Sequence, residues 1–285
     1  MESSTGHRIL SLASLVISVG LVCSLFSVYL LYDSQLALAQ AADSFLDVFT
    51  AGVLTVAIYV AALPRDENHP FGHHRAEPLG ALVTAVVAGV LCIEVARSAI
   101  TALIQGSEPK MEWPLAALFG GKLLIKSVIV LIGWRMLKLG AGPGISALTV
   151  DARNDVLINS VALAGFFAAR SGWPQLDSWL ALPTVAWIGF SGYRLASENM
   201  KLLMGEAPPL ARQDALLTIA KSCAGVLTAH DLRAQHIGTK LQVHVHVIVD
   251  ENLTVKQGHD IGELVRIKLE DEPDVSSASV HVDIA

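Results

Sequence analysis

Six long apolar runs, separated by short polar connections, set the plan of this chain. A helix needs about 20 mostly apolar residues to cross a bilayer. The qualifying stretches are Ile9 to Tyr32, Leu36 to Leu63, Pro78 to Ile104, Pro114 to Leu139, Ile145 to Ala169 and Leu176 to Leu203. Turn-forming residues fill the connections "LPRDENHPFGHH", "QGSEPKMEW", "KLGAGPG" and "RSGWPQLD". From Gly205 the pattern changes. Pro209 to Cys223 reads as a helix, "LTAHDLRAQHIG" and "KLQVHVHVIVD" alternate with the period of strands, "TVKQGHDIGELVRIKLE" is an amphipathic helix, and "VSSASVHVDIA" is a last strand. The predicted fold is therefore a six-helix transmembrane bundle over 1–204, followed by a small α+β domain over 205–285 in the order αββαβ, with helices on one face of a sheet. At about 80 residues that domain is marginal alone, so metal binding or dimerisation would support it.

Composition agrees with a lipid bilayer as the chain's surroundings: 53% of its 285 residues are hydrophobic and 16% charged, with a net charge of −6. Most of the acidic excess lies in the tail, which argues against a nucleic-acid partner. Cys23, Cys92 and Cys223 have no paired spacing, so neither a disulfide framework nor a thiolate site is indicated. The "ALAQAA" stretch has the small-residue pattern of a signal-peptidase site. However, the apolar run before it exceeds the roughly 7 to 15 residues of a signal core, so cleavage is not expected. Counting bases in short loops sets Arg8, Arg65, Arg75, Arg135, Lys138 and Lys201 on one side against Lys110 and Arg170 on the other. By the positive-inside rule both termini and the tail face the cytoplasm, as in a multi-pass protein of the inner, or plasma, membrane.

Charges inside the spans point to function. "AADSFLDVF" in the second span carries Asp43 and Asp47, and "TVDARNDVLINS" in the fifth carries Asp151 and Asp155. An ionised acid at mid-helix costs roughly 2.5 to 3.5 kcal/mol on insertion scales, so doublets need a reason. Residues i and i+4 share one helical face. If the two faces meet, four carboxylates surround one point and repel one another unless a cation or protons compensate them. Oxygen ligands suit Mn²⁺, Fe²⁺ or Zn²⁺, with carboxylates favouring Mn²⁺, and competition between metal and protons for the same oxygens supplies an exchange mechanism. No histidine lies in a predicted span, so the acids themselves must carry any coupling proton. Glu94, Lys122 and Lys126 are expected to pair with one another between the third and fourth spans or to snorkel to an interface. A caps-and-neighbours reading, with Arg153 as a partner for the fifth-span acids, is the plain alternative.

Other clusters lie outside the spans. Asp66, His69, His73 and His74 fall in one short loop after the second span, and such a set can ligate Zn²⁺ or a similar ion. In the tail, His230, His244, His246, His259 and His281 with Asp283 are candidates for a site between strands and helix, His244 and His246 sharing one strand face. Two other functions compete. An intramembrane aspartic protease would use single acids sharing a proton, whereas these come as doublets and no GxGD motif occurs. A membrane-anchored metal sensor would bind ions without moving them.

The six spans, the acid doublets in the second and fifth, the "DENHPFGH" loop and the αββαβ tail, in this order, resemble the cation diffusion facilitator family of divalent-metal/proton antiporters in its small bacterial form. The resemblance implies a ferredoxin-like tail and a homodimer with a transport site of Asp43, Asp47, Asp151 and Asp155 in each protomer. It also implies a loop site of Asp66, His69 and His73 and a tail site of His230, His244, His259, His281 and Asp283, with tail-bound ions acting as structural or regulatory ligands. Zinc-transporting relatives usually have His where this chain has Asp151, which favours manganese- or iron-type transport here. Relatives often carry an acid at the junction into the tail, paired with a base after the second span. Here Gly205 takes that place, with Glu206 beside it and Arg75 as the base.

Overall fold

The computed structural model describes residues 18–138 and 143–285, with the side chains at 143–148 and at position 151 outside the described set. Six helices come first: α1 (Ser18–Tyr32), α2 (Gln35–Ala61), α3 (Ala76–Gln105), α4 (Trp113–Lys138), α5 (Pro143–Arg170) and α6 (Gln175–Leu203). Each coincides with a predicted span; the beginning of the first span lies outside the described residues. Among the described residues, α2, α3 and α4 are long and apolar enough on length and composition to cross a membrane. α5 and α6 are as long, at 28 and 29 residues, but carry polar residues. Several of these, Asp155, Asn159, Asp177 and Thr184, are buried.

The chain divides into two compact units. The first takes residues up to Ala51 together with Thr84–Tyr193; the second takes Gly52–Val83 and Arg194–Ala285. The core of the first unit gathers Leu25, Leu36, Ala39, Phe119, Phe166, Ala181 and Val185. Helices come close where one of them offers only a glycine: a Cβ on Gly133 of α4 would collide with Thr149 of α5, and one on Gly192 of α6 would crowd Ala88 of α3. Lipid tails are as apolar as leucine, so such close packing, together with interhelical hydrogen bonds, holds a membrane bundle together. One of these polar ties starts α2. The buried Asp177 of α6 accepts hydrogen bonds from the Ser34 hydroxyl at 2.7 Å and the Gln35 amide at 2.5 Å. It thereby supplies both hydrogen-bond acceptors and negative charge at the positive end of the helix.

In the second unit α7 (Leu210–Lys221), β1 (Thr228–Ile237), β2 (Lys240–Val249), α8 (Val255–Glu270) and β3 (Val275–Ile284) follow the predicted order. The sheet order is β1-β2-β3, antiparallel between β1 and β2 and parallel between β2 and β3. Period-two alternation explains its two faces. Leu241, Val243, Val245, Val247 and Val249 of β2 are buried, and most of them join Leu216 of α7 and Val265 and Leu269 of α8 in the core. Consequently His244 and His246 lie on the face turned away from both helices. Thr254 caps α8 in a reciprocal arrangement with Gln257.

Asp66, His69 and His73 belong to the same unit, and their loop is braced against the sheet. Arg65 donates to the Ser276 carbonyl at 2.7 Å. Gly238, at φ +65° in the two-residue β1–β2 turn, lies so near the His74 carbonyl that any side chain there would collide with it.

Arg212 ties α7 to the start of β3 through Asp274 at 2.5 Å and Glu272 at 2.8 Å. The hydrogen bond from Arg212 holds the Asp274 carboxyl below its ordinary range. A depressed carboxyl stabilises the fold above its unfolded pKa of about 4, and that contribution disappears as pH falls through its folded value. Arg212→Ala is therefore expected to lower tail stability by on the order of 1 kcal/mol at pH 7, a figure limited by the partial exposure of Asp274. The gap from wild type should narrow as the pH falls below the unfolded value of about 4, which thermal unfolding of the full chain at pH 7 and in acid measures.

Candidate metal centres

The membrane acids converge, and they do so around ammonium groups. Asp43 Oδ2 of α2 lies 2.8 Å from Lys122 Nζ of α4, which also donates to Gln40 Oε1 at 3.0 Å. One turn further along both helices, Asp47 Oδ2 lies 3.2 Å from Lys126 Nζ, and the same ammonium contacts Asp155 Oδ2 of α5. Carboxylates from α2 and α5 thus meet at one point held by a side chain of α4. Asp155 is 5% exposed and Lys122 2%, so these two charges are kept from water, whereas the Asp47 side chain is 44% exposed. Three polar atoms beside the cluster, Gln40 Nε2, Ser44 Oγ and Asn159 Oδ1, are buried without a hydrogen-bond partner. Asp151 stands one turn before Asp155 on α5, and its side chain lies outside the described residues.

The observed helix ends bring Asp47 and Asp155 nearer to one level. Counting from the predicted ends at Leu63 and Ile145, Asp47 and Asp155 stand at depths of about 24 and 15 Å, a mismatch of roughly 9 Å at 1.5 Å per residue. The observed ends, Ala61 and Pro143, put them at about 21 and 18 Å and shrink the mismatch to roughly 3 Å.

The expected pairing of Glu94 with Lys122 and Lys126 is not what the structure holds. Glu94 pairs with Arg97 on its own helix at 2.8 Å, and the lysines belong to the acid cluster. The signal was available: Lys122 and Lys126 repeat the i,i+4 spacing of the doublets, as two bases aligned to face two acids must. Nor did the sequence reading single out Gln40 or Asn159, although Asn159 continues the spacing of Asp151 and Asp155 along α5.

Asp66, His69 and His73 come together as expected, their candidate ligand atoms all within 4.8 Å of one another. His69 Nδ1 lies 3.1 Å and His73 Nε2 3.4 Å from the Asp66 carboxylate. The His69 amide donates to Asp66 at 2.6 Å, holding that carboxyl below its ordinary range. His74 is outside the cluster, and burial, followed by the nearby charges of Lys240 and Arg65, lowers its pKa.

In the tail the register selects a different set from the one expected. His230 pairs with His246 across β1 and β2, and His246 with His281 across β2 and β3, so three imidazoles form a row on one face of the sheet. Their centroids are 5.5 and 4.7 Å apart. Asp283 bridges His246 Nδ1 at 2.9 Å and His281 Nε2 at 3.1 Å, and the hydrogen bond from His246 lowers its pKa. Ligand atoms of His230, His246 and Asp283 all lie within 4.8 Å of one another. His244 instead pairs with Arg233 and Ser279. His259 is exposed on α8, across the sheet from the row. A bulge between His230 and Arg233, with Asp231 at φ +44°, shifts the β1 register. With it His230 faces His246, an alignment that alternation alone does not reveal.

Comparison with known proteins places these clusters in context. The family description "Cation efflux transmembrane domain" matches residues 11–204, and "Cation efflux protein, cytoplasmic domain" matches 208–285. The chain belongs to the cation diffusion facilitator family. It is similar to an uncharacterized transporter of Methanocaldococcus jannaschii, with 28% identity over 89% of each chain. It also matches the cation-efflux pump FieF of Shewanella oneidensis, with 24% identity over 97% of this chain and 93% of that one. Metal tolerance protein C1 of Arabidopsis thaliana is 28% identical over 90% of this chain but only 58% of that longer protein. Among solved structures, a nickel form of a MamM CTD variant covers 26% of this chain and 96% of that one, at 26% identity and a TM-score of 0.26. As a cation diffusion facilitator the chain is a membrane transporter for divalent metal efflux rather than an enzyme, which sets aside the protease reading.

At the junction, where Gly205 stands in place of the family's acid, Glu206 lies 3.8 Å from Lys201, and its carbonyl accepts from the His236 amide at 3.1 Å.

The geometry separates the tail histidines. His246→Ala is expected to remove zinc binding by the tail, whereas His244→Ala and His259→Ala leave it intact. Counting bound zinc per chain in the purified full-length protein, with Asp66→Ala and Asp155→Ala in the background, measures the difference.

Proposed function

We propose that the chain exports Mn²⁺, Fe²⁺ or Zn²⁺ from the cytoplasm in exchange for protons. It would work as a homodimer in the inner membrane, with the domain over 1–204 spanning the membrane and 205–285, like both termini, in the cytoplasm. The observation that carries this reading is the convergence of Asp43, Asp47 and Asp155, from α2 and α5, on lysine ammoniums of α4. A point where carboxylates from two helices already gather around positive charge suits a hard divalent ion. Asp151, one turn from Asp155, would complete the set of oxygens, and an all-oxygen set favours Mn²⁺ over the nitrogen- and sulfur-seeking metals. Loading from the cytoplasm requires the acids to shed protons, and protonation from a more acidic outer medium weakens the metal bonds and frees the ion. Alternating access then needs only that the site open to one side at a time.

Two further sites support regulation by the same ions. Asp66, His69 and His73 in the loop, and His230, His246 and Asp283 with His281 beside them in the tail, offer the mixed imidazole and carboxylate donors that suit Zn²⁺ and its neighbours. An ion held by the tail row would stiffen a small sheet domain of modest core and favour its dimer.

In vesicles loaded at acidic pH, wild type is expected to couple uptake of Mn²⁺ to proton movement in the opposite direction, and Asp155→Ala to reduce both to the protein-free rate. Normal antiport in Asp155→Ala refutes the site, and metal binding without flux in wild type selects the sensor reading. Asp151→His is expected to shift the preference among Mn²⁺, Fe²⁺ and Zn²⁺ towards zinc in the same assay; an unchanged profile removes position 151 from the selectivity determinants.

A further inference from the structure

We infer that Lys122 and Lys126 are tethered competitors of the transported ion: their ammonium groups offset part of the charge of the membrane carboxylates between ions, and the metal binds by displacing them. The inference rests on the transport reading above and deepens it. Lys126 Nζ lies between Asp47 of α2 and Asp155 of α5, the two helices that supply the ligands, so it stands where an ion bridging those helices must stand. Lys122 repeats the arrangement with Asp43 one turn away, held there by Gln40. Neither lysine has another acid within ion-pair distance among the described residues, and both are well shielded, Lys122 at 2% and Lys126 at 18% side-chain exposure. A divalent ion brings twice the charge of one ammonium and accepts several oxygens at once, so it can win this exchange. Lysine suits the role: a compact ammonium on a flexible four-carbon stem can swing aside, whereas a planar guanidinium would clamp carboxylates in pairs. No proton need leave either lysine.

The consequence is a moderated affinity. A transport site must bind well enough to load and weakly enough to release. Carboxylates gathered in a low-dielectric bundle with no fixed counter-charge would hold a divalent ion too firmly. A returning ammonium lowers the affinity and offsets part of the charge the departing ion leaves, the exchanged protons taking the rest.

The test is equilibrium Mn²⁺ binding at pH 7 to the full-length protein in nanodiscs, in a His69→Ala, His246→Ala background that silences the loop and tail clusters. Lys126→Met is expected to lower the Kd by about tenfold or more, as removal of a unit charge some 3 Å from a ligand oxygen requires. It should also reduce flux at saturating Mn²⁺, because release slows. Lys126→Arg keeps the charge and is expected not to tighten binding. Lys122→Met gives a second reading if Lys126→Met fails to fold. Structural damage weakens binding, so the sign of the change distinguishes the two causes. If Asp155→Ala loses binding while neither methionine variant tightens it, the competitor role is overturned and the transport site stands. If wild type and Asp155→Ala bind alike, both are overturned.

Discussion

Negative charge buried inside a membrane bundle must be matched by positive charge, and the other features of the acid cluster proposed as the transport site follow from that requirement. Taking a carboxylate from water into a low-dielectric interior costs several kcal/mol even after relaxation, and only close, well-oriented compensation recovers it. In this chain the compensation comes from α4, whose Lys122 and Lys126 reach the acids of α2 and α5. Those ion pairs link three helices. Close approach at Gly133 and the Asp177 cap on α2 serve the same end, one by letting α4 and α5 pack tightly, the other by anchoring the start of the helix that carries Asp43 and Asp47.

Outside the membrane the same chemistry is arranged by a different device. Water screens the loop and tail clusters, so their geometry depends on strand register and local hydrogen bonds rather than on charge balance. Three histidines line up because β2 pairs with β1 on one side and β3 on the other, and Asp283 falls two residues beyond His281 on the same face. The loop cluster is set by the His69 amide donating to Asp66, and by bracing of the loop against the sheet at Arg65 and Gly238. Imidazole donors prevail here and carboxylates prevail in the bundle, donor sets of different chemistry.

Much of this organisation was legible from periodicity. Apolar runs placed the helices to within a few residues over the described range, and alternation placed the tail strands. The i,i+4 doublets marked Asp43, Asp47, Asp151 and Asp155 because acids in spans are costly enough to need a purpose. Partners across helices were harder to see. Lys122 and Lys126 were visible as intramembrane charges, but helix rotation decides whether they meet Glu94 or the aspartates, and local spacing does not encode rotation. Glu94 and Arg97, three residues apart, were a local pair that spacing does encode. In the tail, parity of positions puts His244 and His246 on one face. The bulge at Asp231 and the pairing register then choose His246, and the sheet itself separates His259 from the row.

The central claim, that carboxylates of two helices hold a divalent ion at the point now bridged by Lys126, has a direct structural test. Anomalous diffraction from crystals of the Mn²⁺-loaded protein should show one strong peak per protomer between α2 and α5, within coordination distance of Asp47 and Asp155, with the Lys126 ammonium moved away from both. A manganese peak elsewhere in the bundle, or one beside an ammonium still bridging the two aspartates, would contradict it.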